Sequence, residues 1–252
     1  MEKVMLQTLD DVIEQDNIND LARQEIKSIL KISKSYRAVQ IIKKHIKEVP
    51  YKAIKRIIDL CAGIVGMIFL IPILIVVKIV YLINGDKAPV LYKQKRVGKN
   101  GKIIKIWKIR SMVYNADEVL KELLKNEDYR YEWSKYQKFE KDPRITKIGK
   151  ILRKTSLDEL PQFINVFKGD MSLIGPRPLV DGELESHNGN HSIYERVRPG
   201  MSGWWACNGR SALTYDERLN LEYYYCLNCN LLLDIKCVIK TIGAVLFKEG
   251  AK

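Results

Sequence analysis

Eighteen consecutive residues, Leu60 to Val77, carry no charge, and this run limits the folds open to the chain more than any other feature. At a helical rise of roughly 1.5 Å per residue it extends about 27 Å, barely the hydrocarbon thickness of a bilayer. Pro72 lies inside it. A proline removes one backbone donor and crowds the preceding turn, so a kink or break is expected there. Both flanks are basic: Lys43, Lys44, Lys47, Lys52, Lys55 and Arg56 precede the run, and Lys78, Lys87, Lys93, Lys95 and Arg96 follow it. Positive charge favours the cytoplasmic side, so a segment that enters, bends at Pro72 and returns satisfies both flanks. A straight span would carry one basic cluster outside. Length alone also leaves open a buried core helix.

The remainder of the 252 residues suffices for one substantial domain with a helical or membrane appendage. A formal charge of +13 calls for an anionic partner: nucleic acid, acidic lipid or a phosphorylated substrate. Nucleic acid is the poorest fit, because no helix-turn-helix or zinc-finger signature accompanies the charge. The five cysteines form no regular framework, which makes a reducing, cytoplasmic setting the expectation. Cys226 and Cys229 have the spacing of half a zinc site, with no second pair to complete it. Residues 1–50 read as a helical extension, acidic in the first half and basic in the second. Its apolar residues Ile26, Ile29, Leu30, Val39, Ile42, Ile46 and Val49 suit an anionic membrane surface or a partner helix.

Chemistry concentrates in two short segments, Thr155 to Gln162 and Gly169 to Pro178. Asp158 and Glu159 are adjacent carboxylates, one able to act as a nucleophile toward phosphorus and the other to ligate a metal. Mg²⁺ takes one or two carboxylates and completes its shell with water and substrate phosphates, so Glu159 is the expected ligand. Arg177 stands between Pro176 and Pro178, whose fixed φ would present its planar fork from a stiff backbone. The plainer readings are a capping box formed by Ser156 and Glu159 and a surface turn at the Pro-Arg-Pro. Pro161 argues against the first, since it falls where such a helix needs its backbone donor.

The surrounding pattern reads as α+β, mostly α. Pro89 to Gln94 and Ile103 to Lys108 read as short strands around a glycine turn. Helices are expected over Ala116 to Lys138 (single or paired), Ile148 to Leu152, Leu160 to Phe167 and Asn220 to Phe247. No nucleotide-binding glycine fingerprint is present. Trp204 and Trp205 could meet a base, a sugar face, the bilayer interface or the core.

Several ordered motifs join these segments: Gln94-Lys95-Arg96-Val97-Gly98, Lys108-Ile109-Arg110-Ser111-Met112, Asp142-Pro143-Arg144-Ile145-Thr146, Leu152-Arg153, Arg198-Pro199-Gly200 and Gly209-Arg210-Ser211, with Asp234 before the last helix. Together, from about Lys55 to Gly250, they resemble the bacterial sugar transferases, or monotopic phosphoglycosyl transferases. The resemblance implies a re-entrant membrane helix carrying a small catalytic domain on the cytoplasmic face of the bacterial cell membrane. Its divisions would be 1–50 (extension), 51–83 (juxtamembrane and re-entrant helix, kinked at Pro72) and 84–252 (catalytic domain). It implies transfer of a hexose 1-phosphate from a UDP-sugar to undecaprenyl phosphate through a phosphosugar-aspartate at Asp158, with Mg²⁺ at Glu159 and release of UMP. Lys108, Arg110, Arg153, Gln162, Arg177 and Arg210 would contact phosphate or substrate. Partners would be these substrates, membrane lipids and, where it self-associates, a homo-oligomer. The long insert between Met112 and Asp142, with Glu132-Trp133, is similar to hexose-transferring members, so galactose or glucose is expected. The chain departs from the pattern at Ala206, Cys207, Cys229 and Asn230, and at Ile71, where some members carry serine. A basic, non-catalytic membrane adaptor is the competing function.

Overall fold

The computed structural model describes residues 20–136, 139–209 and 213–246, with side chains over 50–134, 139–209 and 213–243. Residues 1–19, the apolar positions from Ile26 to Val49, Arg210 and Phe247 therefore fall outside the described residues or side chains. The chain divides into two units, Met1–Ala53 and Ile54–Lys252. In the first, residues 20–53 are helical, as the sequence predicts.

The first helix, α1, is assigned over Asp20–Ile83, and among the described residues only its stretch Pro50–Ile83 is long and apolar enough to cross a membrane. Helical geometry continues through Pro72, so the break expected there does not occur. The turns on either side are held by packing. Leu70 is buried before the proline, and Val77 and Tyr81 are buried after it, against Ile109 and Leu152. One missing backbone hydrogen bond is too little to end a helix fixed on both sides. The opposite face, with Ile64, Ile68, Ile71, Ile75 and Ile79, stays largely exposed, and Phe69 remains 65% exposed.

Within the second unit, polar bonds tie α1 to the domain at both ends of its apolar run. Before the run, Lys55 Nζ pairs with Asp234 Oδ2 at 2.8 Å, Arg56 donates to the Val166 and Phe167 carbonyls, and buried Asp59 accepts from Ser172 Oγ and Leu173 N. After the run, the Tyr81 hydroxyl donates to the Arg110 carbonyl.

The strands predicted around the glycine turn form an antiparallel ribbon, β1 (Leu91–Val97) and β2 (Ile103–Ile109), with Gln94 opposite Ile106. The expected long helix is a pair, α2 (Ala116–Leu123) and α3 (Glu127–Tyr136). Helices α4 (Lys147–Lys154) and α5 (Gln162–Lys168) follow. A parallel pair absent from the sequence reading comes next: β3 (Ser172–Ile174) and β4 (Gly200–Ser202), on either side of the short helix α6 (His191–Tyr194). The final predicted helix is split into α7 (Tyr215–Asn228), opened by a Thr214–Glu217 capping box, and α8 (Leu231–Leu246). Asn165 joins the parts. Its side-chain oxygen accepts from Trp107 N and its amide donates to Lys105 O, while its backbone carbonyl accepts from the amides of Gly169, Asp170 and Met171.

Helix α5 lies so close to α1 that a Cβ on Gly66 would come within 2.2 Å of the Phe163 ring. Alanine there gains about 1 kcal/mol of helix propensity, but overpacking costs about 1–3 kcal/mol. Gly66→Ala is therefore expected to lower the unfolding midpoint in lipid discs. Gly243→Ala should leave it unchanged or raise it, because a Cβ at Gly243 meets nothing within 4 Å.

Candidate active site

An open cavity of about 640 Å³ is lined by parts of α5, α7, α8, both strand pairs and the loop after β4. Glu159 enters it from the junction between α4 and α5, with Asp158 next to it in the chain. Helix α4 ends at Thr155, Ser156 takes a left-handed conformation at φ 55°, and a single 3₁₀ turn spans Leu157–Glu159. The alternative capping box is not formed, as Pro161 leads one to expect, since Ser156 makes no side-chain cap bond. Pro161 instead immediately precedes α5, where its missing donor leaves no intrahelical bond unmade. A left-handed serine is a locally costly conformation. Here it turns the two carboxylates back toward β2.

Lys108, on β2, pairs with Glu159 Oε1 at 3.0 Å; its side chain is mostly covered, while that of Glu159 is about half exposed. Asp158 is partly buried. Burial, and then the neighbouring Glu159 charge, raise its carboxyl above the ordinary aspartate range, while Lys108 and Arg153 pull it back. Arg153 donates to Ser111 Oγ at 2.9 Å. That bond depends on close packing of α4, since a Cβ on Gly149 would fall 1.8 Å from the Ser111 carbonyl.

Arg177 reaches the same cavity from the end of β3. Its backbone amide donates to Glu222 Oε1 at 3.1 Å and its carbonyl accepts from Tyr194 Oη at 2.9 Å, so the Pro-Arg-Pro is fixed by more than its rings. The guanidinium makes no hydrogen bond to a described residue and sits 5.9 Å from the Trp205 ring centre, with Arg218 5.0 Å from that ring. Gln162 is buried in the cavity wall. Lys108, Gln162, Glu159 and Arg177 therefore line one cavity, beside Asp158 and its neighbour Arg153. Arg110 is not brought there: its guanidinium is spent on Asp86 Oδ2 and the carbonyls of Pro89 and Met112. Arg210 lies outside the described residues.

Two charged lining residues, Arg96 and Glu222, do not stand out in the sequence as functional candidates. Arg96 sits in the Gln94 to Gly98 motif, but its burial toward the cavity is a tertiary fact. Glu222 occurs in a helix otherwise rich in tyrosine and leucine, and a buried charge on the packed face of that helix was the available signal.

The residues suit a magnesium ion in kind. The carboxylates are hard oxygen donors and Glu159 is accessible, and a sparse set is what Mg²⁺ takes when phosphates complete its shell. Among the described residues no cluster of three or more metal-ligating side chains occurs, so such an ion would depend on substrate oxygens.

Residues 50–248 match the bacterial sugar transferase family. The chain belongs to that family. It is 45% identical over 199 residues to an undecaprenyl-phosphate galactose phosphotransferase of Salmonella typhimurium, covering 79% of this chain and 41% of that protein. It is 40% identical to the exopolysaccharide production protein ExoY of Sinorhizobium fredii, covering 78% of this chain and 87% of that one. A UDP-N-acetylgalactosamine-undecaprenyl-phosphate N-acetylgalactosaminephosphotransferase of Aeromonas hydrophila is 35% identical over 208 residues, 80% of this chain and 46% of that protein. The chain thus spans less than half the length of the Salmonella and Aeromonas proteins.

Glu222 gives a prediction for stability. It is 1% exposed, one of its oxygens has no partner, and burial raises its carboxyl to about 7 despite Arg177 and Arg218 nearby. A carboxyl whose folded pKa is raised adds stability that is complete below its unfolded value, about 4.5, and is lost as pH rises through about 7. Glu222→Gln keeps an acceptor for the Arg177 amide and removes that titration. Its unfolding midpoint should fall less than the parent's between pH 4.5 and 7.

Proposed function

We propose that this chain transfers a hexose 1-phosphate from a UDP-sugar to undecaprenyl phosphate at the cytoplasmic face of the bacterial membrane. The observation that carries the reading is one cavity lined by the Lys108–Glu159 pair and by an Arg177 fork that no described residue hydrogen-bonds, beside the partly buried Asp158, on a domain bound to an apolar helix. An adaptor would have no use for a partly buried carboxyl beside a cation set of this kind. Membership of the sugar transferase family and the names of the relatives support the same chemistry. The 45% identical relative is named for galactose, which favours a hexose donor, galactose or glucose.

In this mechanism the ionised Asp158 oxygen attacks the β-phosphorus of the donor. The bond from that phosphorus to the bridging oxygen breaks, and UMP leaves with the electron pair. A phosphate oxygen of the lipid then attacks the same phosphorus, returning the Asp158 carboxylate and forming a lipid diphosphate-sugar. Arg177 holds phosphate oxygens, and Lys108 orients Glu159 and favours the charged form of Asp158. Mg²⁺ at Glu159 would neutralise charge on the diphosphate. A covalent stage suits substrates so unlike, one soluble and one lipid, because each can be bound in turn.

Incubation with UDP-galactose and Mg²⁺, without lipid acceptor, should add a hexose phosphate to the Asp158 peptide, detected by mass spectrometry and absent from Asp158→Asn. Robust product formation by Asp158→Asn would exclude the scheme. Because Lys108 lowers the Asp158 pKa, Lys108→Met should move the acid limb of UMP release to higher pH. An unmoved limb would detach Lys108 from the nucleophile.

We infer a re-entrant, monotopic seating for α1. Asp59 and Tyr81 are both bonded to the same unit, yet about 33 Å of straight helix would separate them. A helix crossing the bilayer would place one of these anchors on the far side, or the domain in hydrocarbon. Single cysteines before Lys55 and after Lys87, in a background without the native cysteines, should both resist an impermeant maleimide in intact cells. External labelling of either site refutes this seating.

A further inference from the structure

We propose that Arg96 is a second phosphate-holding residue of the cavity, acting with Arg177 to grip the oxygens of one phosphate or diphosphate group. The proposal deepens the transfer reading and rests on it for the identity of the site. The two arginines are brought together by the backbone: Val97 N, next to Arg96, donates to the Leu179 carbonyl at 2.8 Å, two residues beyond Arg177. Both side chains line the cavity that holds Lys108 and Glu159.

Arg96 is unusual among the buried charges of this fold. Arg110 and Arg144 are equally covered, but each is hydrogen-bonded to a carboxylate, Asp86 and Asp142 respectively. The Arg96 guanidinium makes no hydrogen bond to a described residue, and its Nε is buried without a partner. Its nearest carboxylate, Glu183, is 4.0 Å away and already engaged: Oε1 takes Arg218 at 3.1 Å and Oε2 takes the Val180 amide at 3.0 Å. An always-charged guanidinium left so sparsely paired is costly to bury. The charge of Arg177 adds to that cost, since burial and then Arg177 both act against the protonated Arg96. An oxyanion between the two forks removes both penalties, and paired guanidinium forks match phosphate oxygens in geometry. A purely structural ion pair with Glu183 would predict a closer approach and no opening to the cavity.

The donor diphosphate and the lipid phosphate share this chemistry, and binding measurements separate them. The full chain in lipid discs would be titrated with UDP in Mg²⁺ buffer and, separately, with undecaprenyl phosphate supplied in vesicles. Arg96→Gln should weaken one of the two by about 10- to 100-fold, as expected for lost charge-assisted bonds, with the unfolding midpoint retained. Arg96→Lys should recover only part of the loss, because an ammonium cannot bridge two oxygens. Weakened UDP binding assigns the gripped group to the donor, and weakened lipid binding assigns it to the acceptor. Parent-like affinity for both ligands in Arg96→Gln overturns the proposal. If Arg96→Gln does not fold, the Lys variant decides alone: parent-like affinity for both ligands overturns the proposal, and several-fold weakening of either supports it. These titrations need no covalent step, so an absent Asp158 adduct would sink the transfer mechanism while leaving the phosphate grip standing.

Discussion

The folded unit depends on fastening one apolar helix to a basic, polar domain at both ends of its uncharged run. Lys55, Arg56 and Asp59 bind before the run, and Tyr81 binds after it. Asp59 is the most exposed to error energetically, since it is buried, accepts two bonds through one oxygen and leaves the other unpaired. A carboxylate so placed is tolerable only while those donors remain, because an uncompensated buried charge costs several kcal/mol, on the order of 3–5 when a partner is lost. The donors belong to β3, and β3 leads directly to the Pro-Arg-Pro. Membrane seating and the position of Arg177 therefore share a support.

Asn165 extends that support to the carboxylates. A two-stranded ribbon is marginal alone, and Asn165 supplies β2 with a donor and an acceptor where a third strand would stand. It also terminates α5 through its own carbonyl. Lys108 on β2 and Glu159 before α5 are thus held at 3.0 Å by a residue that touches neither charge.

What could be read from the sequence follows the range over which each signal acts. The ribbon was legible because two apolar-polar runs flank a glycine turn, and α4, α5 and the α2–α3 pair because helical period persists over several turns. The β3–β4 pair was not, since three residues are too few for a period and their partners are set by the backbone at Gly175 and Gly200. Pro72 fails to break the helix for a related reason: its local cost is real, but the packing of Leu70 and Val77 on either side outweighs it. At the site, Asp158, Glu159 and Arg177 stood out as chemistry in unusual company. Arg96 and Glu222 did not, because an arginine in a strand and a glutamate in a helix carry no mark of which way they face. Arg110 shows the converse, a basic residue in a suggestive motif whose bonds are all structural.

The charges around Asp158 would let one carboxyl be raised in pKa and still act as the nucleophile of the proposed mechanism. Burial and Glu159 make Asp158 more basic than a free aspartate, and a more basic carboxylate is the better attacking group. Unchecked, the same effects would favour its protonated form more strongly. Lys108 and Arg153 oppose them, and Lys108 does so while also pairing with Glu159, the neighbouring charge that raises the pKa after burial. A dianionic substrate arriving at Arg96 and Arg177 would add negative charge nearby and push Asp158 further toward protonation. In the proposed mechanism a cation held by Glu159 would offset that push, and so would help keep Asp158 ionised besides neutralising charge on phosphate.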